Sequence, residues 1–594
     1  MAAVSEQQQV QSNPHVGEGV TESIESIVMA LILAFVFRAF VVEAFVIPTG
    51  SMAPTLYGVH GTQICQDCGT SYAFGLSEHG TIPQSGGNGA RTCPNCHHID
   101  AKPDLDKQRA ESGDRILVLK WPYDIGGTWL GPKRWDVVVF KTPSFEPNPP
   151  HEPVPNYIKR LIGLPNEVLE IIDGDIYTAP VDVLEKNDPE LLERIDEQRR
   201  LDAELGHPAL VGDATTRSRS DNRARLEQLA DVIGPRLNPW LKIQRKSDTP
   251  SGRRAQKSLW LPVYDHDYQP HLESNPRRPR WLPGDASSTW NVDSHVMTFD
   301  GLESHERVLR FENRHARRDE PPTVPDTYAY NSMNQDHHTQ QNNVADLRLR
   351  FVFVPGRLPE TVRDDCYLRL TLSKDRDTFV VTITRDGTCT LVRHGENATQ
   401  RETYPTARTD AFHTGTPVEV DFANVDYRVH LQINGDEVLA AAYDGSASLS
   451  ELRSSTGRDH RPPPKVEIAA AHMDFTLHHV VVERDVYYQD VMLQGNGWNQ
   501  RPGWGVTGHP ILLRNDPKEY FMLGDNSPQS ADSRLWTQVG PHLRPRGEAY
   551  QPGTVPKDQL IGQAFFVYWP SGMKLFPSLP IRMVPNVGEM RWIR

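Results

Sequence analysis

The stretch ESIVMALILAFVFRAFVVEAFVIPTGSMAPT, Glu25–Thr55, joins an apolar segment to a Pro-Thr-Gly-Ser turn. A helix needs about 20 apolar residues to cross a bilayer, and we interpret residues 24–46 as one uncleaved transmembrane helix. Arg38 and Glu43 would then lie near its outer end, where long polar side chains can reach the interface. The stretch therefore predicts a tethered chain with the Ser51 hydroxyl just beyond the membrane surface.

Two alternatives for this segment are a buried core helix and a secretory signal. A cleavable signal carries a basic N-terminus and small residues at its exit, whereas no Lys or Arg precedes Arg38 and the exit reads VIPTGS. Residues 1–23 are rich in Gln, Glu and Ser, and we interpret them as a disordered tail. Their charged groups are all acidic, so the charge pattern alone does not decide the orientation of the helix.

Length and composition limit the class of protein. A chain of 594 residues is too long for one core, so two or three domains are expected. A mean hydropathy of -0.54 excludes a protein with many membrane spans. The net charge of -14 argues against a nucleic-acid binder, which needs a basic face.

Two CxxC pairs, Cys65/Cys68 and Cys93/Cys96, follow the anchor. Such pairs can place four thiolates around a zinc ion, and their separation is close to that of zinc ribbons. We therefore predict a zinc-ribbon-like insert at residues 62–99 with a structural zinc ion, because four thiolates leave no open position for a substrate. Disulfides remain an alternative in an oxidising compartment, and a redox role is disfavoured because the βαβ setting is missing.

The pattern of short, β-branched runs predicts a mainly β body that is split by a long insert. We place its first part at residues 47–180 and its second at 489–594. The insert begins with a helical and irregular region at residues 181–343, where periodic charge indicates solvated helices up to about 235. The predicted strands of the first part are Ile116–Lys120, Trp135–Phe140, Asn156–Ile162 and Glu167–Ile172.

Residues 344–488 predict an all-β sandwich. Strand-like runs recur every eight to twelve residues, and Asn434-Gly435 between two of them is a strong hairpin signal. The pattern is similar to concanavalin-like or laminin-G-like jelly rolls. Cys366 and Cys389 fall on predicted strands, and the sequence leaves open whether they pair.

Ser51 is a nucleophile candidate, and a serine hydroxyl needs an adjacent base. None of the 23 histidines lies in the three stretches that carry this chemistry, whereas Lys159 lies on the apolar strand YIKRLI. A lysine acts as a base only when neutral. Lowering its pKa from about 10.4 to about 7 by desolvation costs about 4–5 kcal/mol.

Further side chains complete a candidate site. The Ser51 N–H and the Thr49 hydroxyl are the natural donors to an oxyanion, and Ser530 could fix the direction of Lys159. The loop GDNSPQSADSR, Gly524–Arg534, contains charged residues for ion pairs. We expect these supporting ion pairs to involve Asp525, Asp532, Arg534 and Arg160.

The motifs GSMAPTL, GDRILVLK, WDVVVFKTP, YIKRLIGLP and GDNSPQSADSR resemble those of bacterial type I signal peptidases, in residues and in order. The resemblance implies that Ser51 attacks the scissile carbonyl, Lys159 takes its proton, Ser530 orients Lys159, and Thr49 assists the oxyanion. It implies an antiparallel β body resting on the membrane, and no cofactor for catalysis.

The resemblance also implies location and partners. The substrates would be exported preproteins with small residues one and three positions before the cut, released as they emerge from the translocase. The chain would cross the cytoplasmic membrane once, with the tail in the cytoplasm and the catalytic body outside. Three features depart from the family: the missing basic flank, the CxxC pairs and the sandwich insert.

An alternative function comes from another class. The chain could be a membrane-tethered glycan- or protein-binding protein on an inactive peptidase scaffold. The presence of Thr49, Ser51, Lys159 and Ser530 together argues against it. A processing peptidase for one dedicated substrate would share the mechanism and differ in showing a narrow sequence preference.

Overall fold

The computed structural model describes most of the chain, and all statements below concern the described residues. They are 15–77, 91–100, 110–125, 130–147, 152–206, 216–271, 279–284, 289–313, 322–331, 342–359, 365–396, 401–454, 461–490, 492–493, 501–570 and 586–593.

Most of the described helices lie at the N-terminus and at the start of the long insert, whereas one short helix follows β-strand Arg115–Leu119 and another lies within the later part of the insert. The described helices are α1 (His15–Phe40), α2 (Trp121–Ile125), α3 (Val181–Asn187), α4 (Pro189–Gly206), α5 (Thr216–Leu237), α6 (Pro250–Leu259) and α7 (Leu449–Arg453).

Helix α1 differs from the predicted anchor at both ends. It begins at His15, within the predicted disordered tail, of which residues 1–14 lie outside the described part. It ends at Phe40, and Val42–Val46 form a strand instead of the last helical turn. The reason is tertiary: this segment pairs antiparallel with Arg115–Leu119. By the usual limits on hydropathy and charge, none of the described helices qualifies as a membrane span.

The first half of the β body and the start of the insert contain eleven strands. They are β1 (Val42–Val46), β2 (His60–Ile64), β3 (Ser71–Gly75), β4 (Arg91–Thr92), β5 (Ile99–Asp100), β6 (Arg115–Leu119), β7 (Val137–Lys141), β8 (Asn156–Gly163), β9 (Glu167–Ile172), β10 (Asp175–Pro180) and β11 (Lys242–Ile243).

The rest of the insert is a β-sandwich. Its strands are β12 (Leu261–Asp265), β13 (Trp281–Pro283), β14 (Trp290–Asn291), β15 (Met297–Gly301), β16 (Arg307–Phe311), β17 (Leu347–Pro355), β18 (Tyr367–Lys374), β19 (Asp377–Thr384), β20 (Thr388–His394), β21 (Arg401–Thr403), β22 (Ala407–Arg408), β23 (Val418–Val425), β24 (Arg428–Ile433), β25 (Asp436–Ala442), β26 (Val466–Ala471) and β27 (Met473–Arg484).

The chain then returns to the β body. The remaining strands are β28 (Met492–Leu493), β29 (Arg501–Pro502), β30 (Ile511–Leu513), β31 (Glu519–Leu523), β32 (Val555–Pro556), β33 (Leu560–Trp569) and β34 (Arg591–Trp592).

The two halves of the β body interleave in shared sheets. The larger sheet has the order β1-β6-β33-β7-β8-β31-β32, with β34 paired to β33, and the smaller sheet has the order β11-β10-β9-β30. Strand β33, from after the insert, lies between β6 and β7, and β31 and β30 pair with β8 and β9 from before it. This places β8, which carries Lys159, directly beside β31, which leads into the loop Gly524–Arg534.

The sandwich consists of two eight-stranded sheets. One follows the order β14-β15-β27-β17-β23-β24-β25 with β12 on β27, and the other the order β13-β16-β26-β18-β19-β20-β21 with β22 on β20. The sandwich begins at Leu261 rather than at residue 344 as predicted. Its first five strands have at most five residues each, too short to show the alternation of apolar and polar residues that marks a strand.

Cys366 and Cys389 do not pair. Cys366 immediately precedes β18 and Cys389 lies on β20, with β19 between the two strands. Two strand spacings amount to about 10 Å, whereas a disulfide needs Cα atoms within about 7 Å. All six cysteines of the chain are described, and no disulfide joins any of them.

Candidate active site

Ser51 lies in the loop between β1 and β2. Its side chain is 8% exposed and the following Met52 is buried. The loop is held from the other half of the body: the Asn526 N–H donates to Ser51 O over 3.1 Å, and Asn526 Nδ2 donates to Gly50 O over 2.9 Å. The main chain around the hydroxyl is thus fixed on both sides of the Gly50-Ser51 peptide.

Lys159 reaches the same point from β8. The Lys159 Nζ atom donates a hydrogen bond to Ser51 Oγ over 2.6 Å, across 108 residues of sequence. Lys159 is 4% exposed. It pairs with Val138 of β7, and its ammonium lies 5.5 Å from the centre of the Tyr157 ring. The structure therefore brings together the two residues that the sequence predicts as nucleophile and base.

Burial perturbs Lys159 in the direction that general-base chemistry needs. Desolvation lowers the pKa of Lys159 to about 8, and this effect outweighs the carboxylates of Asp532 and Asp525, which favour the charged form. A neutral amine offers a lone pair to a hydroxyl proton. The pKa of Lys159 therefore stays above the value of about 7 expected from the sequence, because the carboxylates of Asp532 and Asp525 lie nearby and favour the charged amine.

Those carboxylates are held by arginines. Arg160 binds Asp525 through two parallel hydrogen bonds of 2.7 Å, and it also donates to Trp135 O. Arg534 binds Asp532 through its Nε and Nη2 atoms over 2.9 and 2.7 Å. All four side chains are fully buried. The expected ion pairs are present, and they fix the loop Gly524–Arg534 beside Ser51.

The expected oxyanion donors face no acceptor within the described residues. The Ser51 N–H donates to none of them, and Thr49 is exposed with no hydrogen bond to its hydroxyl. Donors left unpaired beside a nucleophile can bind developing negative charge. The oxyanion role of both groups remains a prediction.

Ser530 is close to the site, but the structure does not join it to Lys159. Its Oγ atom is buried and has no hydrogen-bond partner among the described residues. It lies beside Gly524, where a methyl group on the α-carbon would overlap both Ser530 Oγ and Ser51 O. The predicted orienting contact is therefore absent from this geometry.

The four predicted metal ligands meet in one place. The sulfur atoms of Cys65, Cys68, Cys93 and Cys96 all lie within 4.8 Å of one another, so this group could hold a metal ion. A second group, at Asp175, Asp346 and Asp426, is also close enough. There, however, the Lys374 ammonium donates to Asp346 and Asp175 and supplies the positive charge itself.

Several residues near Ser51 were not predicted. Asn526 is part of the quoted motif, but no role was assigned to it. Asn331, from a short 3-10 turn of the insert, exchanges two amide hydrogen bonds with Asn526 over 2.6 and 2.8 Å. Tyr328 donates to Asp525 O over 2.9 Å. The sequence of residues 236–343 shows no regular pattern, so it contains no signal from which these contacts could have been predicted.

A buried serine hydroxyl beside a buried amine of lowered pKa is the arrangement of a lysine-assisted serine nucleophile. The family model described as "Signal peptidase, peptidase S26" matches residues 20–67, 106–222 and 509–569. These segments contain Ser51, Lys159 and the loop Gly524–Arg534. The resemblance to signal peptidases is confirmed over these segments.

Curated relatives agree with that family. The chain is 28% identical over 153 residues to signal peptidase I of Rickettsia bellii (strain OSU 85-389), covering 26% of this chain and 37% of that protein. It is 30% identical over 139 residues to signal peptidase I of Pseudomonas fluorescens, covering 23% and 30%. The chain thus spans less than half the length of either relative.

Solved structures resemble part of the chain at low identity. The carbohydrate-binding module CBM66 from Bacillus subtilis is 8% identical with a TM-score of 0.21, over 34% of this chain and 95% of that chain. A Bacillus subtilis protein of unknown function with a galectin-like fold is 13% identical with a TM-score of 0.24, over 38% and 97%.

Proposed function

We propose that this protein is a serine endopeptidase of the signal peptidase I type that cuts signal peptides from exported preproteins. Ser51 is the nucleophile and Lys159 is the general base. The observation that carries the proposal is the 2.6 Å contact between Lys159 Nζ and Ser51 Oγ, both buried. The lowering of the Lys159 pKa to about 8 supports it.

The geometry suggests a two-step reaction. Neutral Lys159 takes the Ser51 hydroxyl proton while Oγ forms a bond to the substrate carbonyl carbon, and the oxyanion faces the Ser51 N–H and the Thr49 hydroxyl. The Lys159 ammonium then returns the proton to the leaving amine, and the peptide bond breaks to give an acyl-enzyme. Water hydrolyses the ester, with Lys159 again as base.

We propose that the protein acts at the outer surface of the cytoplasmic membrane. Helix α1 supports this, because its described apolar side chains point to solvent rather than into the protein: Ile27, Met29, Leu33, Phe35 and Phe40 are each at least 60% exposed. We propose that α1 anchors the chain in the lipid bilayer, with the catalytic body extracytoplasmic. Preproteins with small residues before the cut would then arrive from the translocase.

A cleavage assay in detergent micelles tests the proposal. The substrate is a precursor peptide with alanine one and three positions before the cut. It is incubated with the wild-type full chain, with Ser51→Ala, with Lys159→Ala and with the control Lys141→Ala. Lys141 is an exposed lysine on the neighbouring strand β7, so its removal should leave cleavage unchanged. We expect only wild type and the control to cut. Equal cleavage by all four would refute the dyad.

A second peptide set addresses specificity. Replacing either small residue before the cut by phenylalanine should abolish cleavage by wild type. Equal cutting of these peptides would contradict the proposed substrate class while leaving the dyad intact. Cutting of one precursor alone out of a diverse panel would indicate a dedicated processing peptidase.

A further inference from the structure

The cysteine cluster, Cys65, Cys68, Cys93 and Cys96, has the spacing of a metal site rather than of two disulfides. The Sγ atoms of Cys65 and Cys96 are 3.5 Å apart, and those of Cys68 and Cys93 are 3.6 Å apart. A disulfide bond is about 2.05 Å long. Four sulfurs about 2.3 Å from a central ion lie at just such separations in a tetrahedral site.

The two CxxC turns are built alike. In both, the residue after the second cysteine donates its N–H to the carbonyl of the first: Gly69 to Cys65 O over 3.1 Å, and His97 to Cys93 O over 3.0 Å. The Asp67 N–H also donates to Cys65 Sγ, and the His98 N–H to Cys96 Sγ, each over 3.4 Å. Gly69 and His97, each directly after the second cysteine of its turn, both have a positive φ, 79° and 58°. N–H groups directed at sulfur stabilise thiolates, the form that binds metal.

Each CxxC turn also forms hydrogen bonds with the start of the sandwich. Asp67 accepts a hydrogen bond from the His271 N–H over 2.7 Å. Asn95, at the matching position of the second turn, accepts from the Asp265 N–H over 2.6 Å, and its carbonyl accepts from Arg280 over 2.9 Å. The cluster therefore joins the segment after Ser51 to the start of the sandwich.

From the cluster, the contacts continue to the nucleophile. Ala329 packs against the cysteines. The ring of Tyr330 lies so close to Gly50 and Gly75 that a methyl group on either α-carbon would overlap it. Asn331 binds Asn526, whose side chain and N–H hold the carbonyl groups of Gly50 and Ser51. The turn Ala329–Asn331 is thus wedged between the cluster and the candidate catalytic loop.

We propose that Cys65, Cys68, Cys93 and Cys96 bind one zinc ion that holds the turn Ala329–Asn331 against the loop carrying Ser51. The ion is structural, since the four thiolates complete its coordination. Its binding releases the thiol protons that remain. The metal site is independent of the proposed function, whereas its effect on cleavage rests on that function.

Metal content tests the site itself. The full chain, purified without added zinc or chelator, should carry about one zinc per chain by elemental analysis. The double variant Cys93→Ser/Cys96→Ser should carry less than a tenth of that, and the control Cys366→Ser/Cys389→Ser should keep it. The control removes two cysteines that are also buried but lie in the sandwich.

Two readouts on wild type avoid relying on a variant that fails to fold. Chelation should make four further thiols reactive, and cobalt(II) exchange should give the visible spectrum of tetrahedral thiolate coordination. Iron in place of zinc, zinc below a tenth per chain, or disulfides within the cluster by mass spectrometry would overturn the assignment.

The coupling to Ser51 has its own test. Zinc removal should lower kcat for a precursor peptide at least tenfold, and zinc re-addition should restore it. Asn331→Ala should keep its zinc, lower kcat about tenfold and leave KM within twofold. Unchanged kcat in both cases would overturn the coupling. A zinc-loaded wild type that cuts no precursor would instead refute the proposed function and leave the metal site standing.

Discussion

Lys159 and Arg160 are neighbours on β8, both buried and both basic, yet their surroundings differ. Arg160 is bound by the carboxylate of Asp525 through two hydrogen bonds and by Trp135 O. Lys159 contacts the neutral Ser51 hydroxyl and the face of Tyr157, and no carboxylate among the described residues forms an ion pair with it. Alternation along the strand sends the two side chains to opposite faces.

One strand thus carries two buried basic residues with different roles: Arg160 stays charged in a structural ion pair, and Lys159 can lose its proton and act as a base. Burial alone would lower the pKa of Arg160, but the attraction and hydrogen bonds of Asp525, together with other nearby acidic groups, outweigh it and raise that pKa above its ordinary value. Without a carboxylate in contact, desolvation dominates and lowers the pKa of Lys159.

Removing the amine gives the largest expected effect. Lys159→Ala should lower kcat/KM by about 10³ to 10⁴, since that is the contribution of a positioned general base at the upper end of its range. Lys159→Arg should be equally impaired, because a guanidinium stays charged in proteins. Initial rates on a precursor peptide measure both. An active Lys159→Arg variant would contradict the claim that position 159 needs a side chain that can lose its proton.

Removing the guanidinium should act on stability. Arg160→Met leaves Asp525 buried without its partner, which is expected to cost about 3–5 kcal/mol in free energy of unfolding. Denaturant titration in micelles measures the loss, and the double variant Arg160→Met/Asp525→Leu should recover much of it. A loss below 1 kcal/mol would show that Arg160 is not the structural cation described here.

Replacing Lys159 by methionine should increase the free energy of unfolding, whereas the same replacement of Arg160 should decrease it. The pKa is lowered from 10.5 to about 8, so below pH 8 the folded protein bears the whole cost of burying the charge, about 3 kcal/mol. Lys159→Met should therefore raise the free energy of unfolding by up to about 3 kcal/mol at pH 7. Wild-type stability rises with pH between about 8 and 10.5, so the gain should fade over that window. A destabilised Lys159→Met at pH 7 would contradict this.

Much of the site follows from local sequence. Ser51, Lys159 and the four residues of the two ion pairs lie in short motifs that can be recognised by residue type, although the sequence left open which arginine binds which carboxylate. The turn Ala329–Asn331 could not be predicted, because its contacts with Gly50 and Asn526 are made across about 200 residues or more and leave no periodic pattern. The end of α1 at Phe40 was missed for the same reason, since pairing with β6 overrides the helical tendency of Val42–Val46.

Ser530 offers the smallest expected effect. Its hydroxyl makes no hydrogen bond to Lys159 in this geometry, so Ser530→Ala should reduce kcat/KM by less than tenfold and leave the pH midpoint of activity in place. Rates across pH 6 to 10 check this, with Ser527→Ala as a comparison, since Ser527 accepts a hydrogen bond from Arg534. A hundredfold loss in Ser530→Ala would restore the orienting role that the sequence predicted.

The pKa of Lys159 tests the central claim most directly. It can be measured by NMR titration of the lysine side-chain carbons in the isotopically labelled full chain, with Lys159→Arg identifying the resonance. We predict a midpoint of about 8, with kcat/KM rising through the same pH. A midpoint at or above 10 would mean that the amine stays charged at neutral pH, and the account of Lys159 as a base would be wrong.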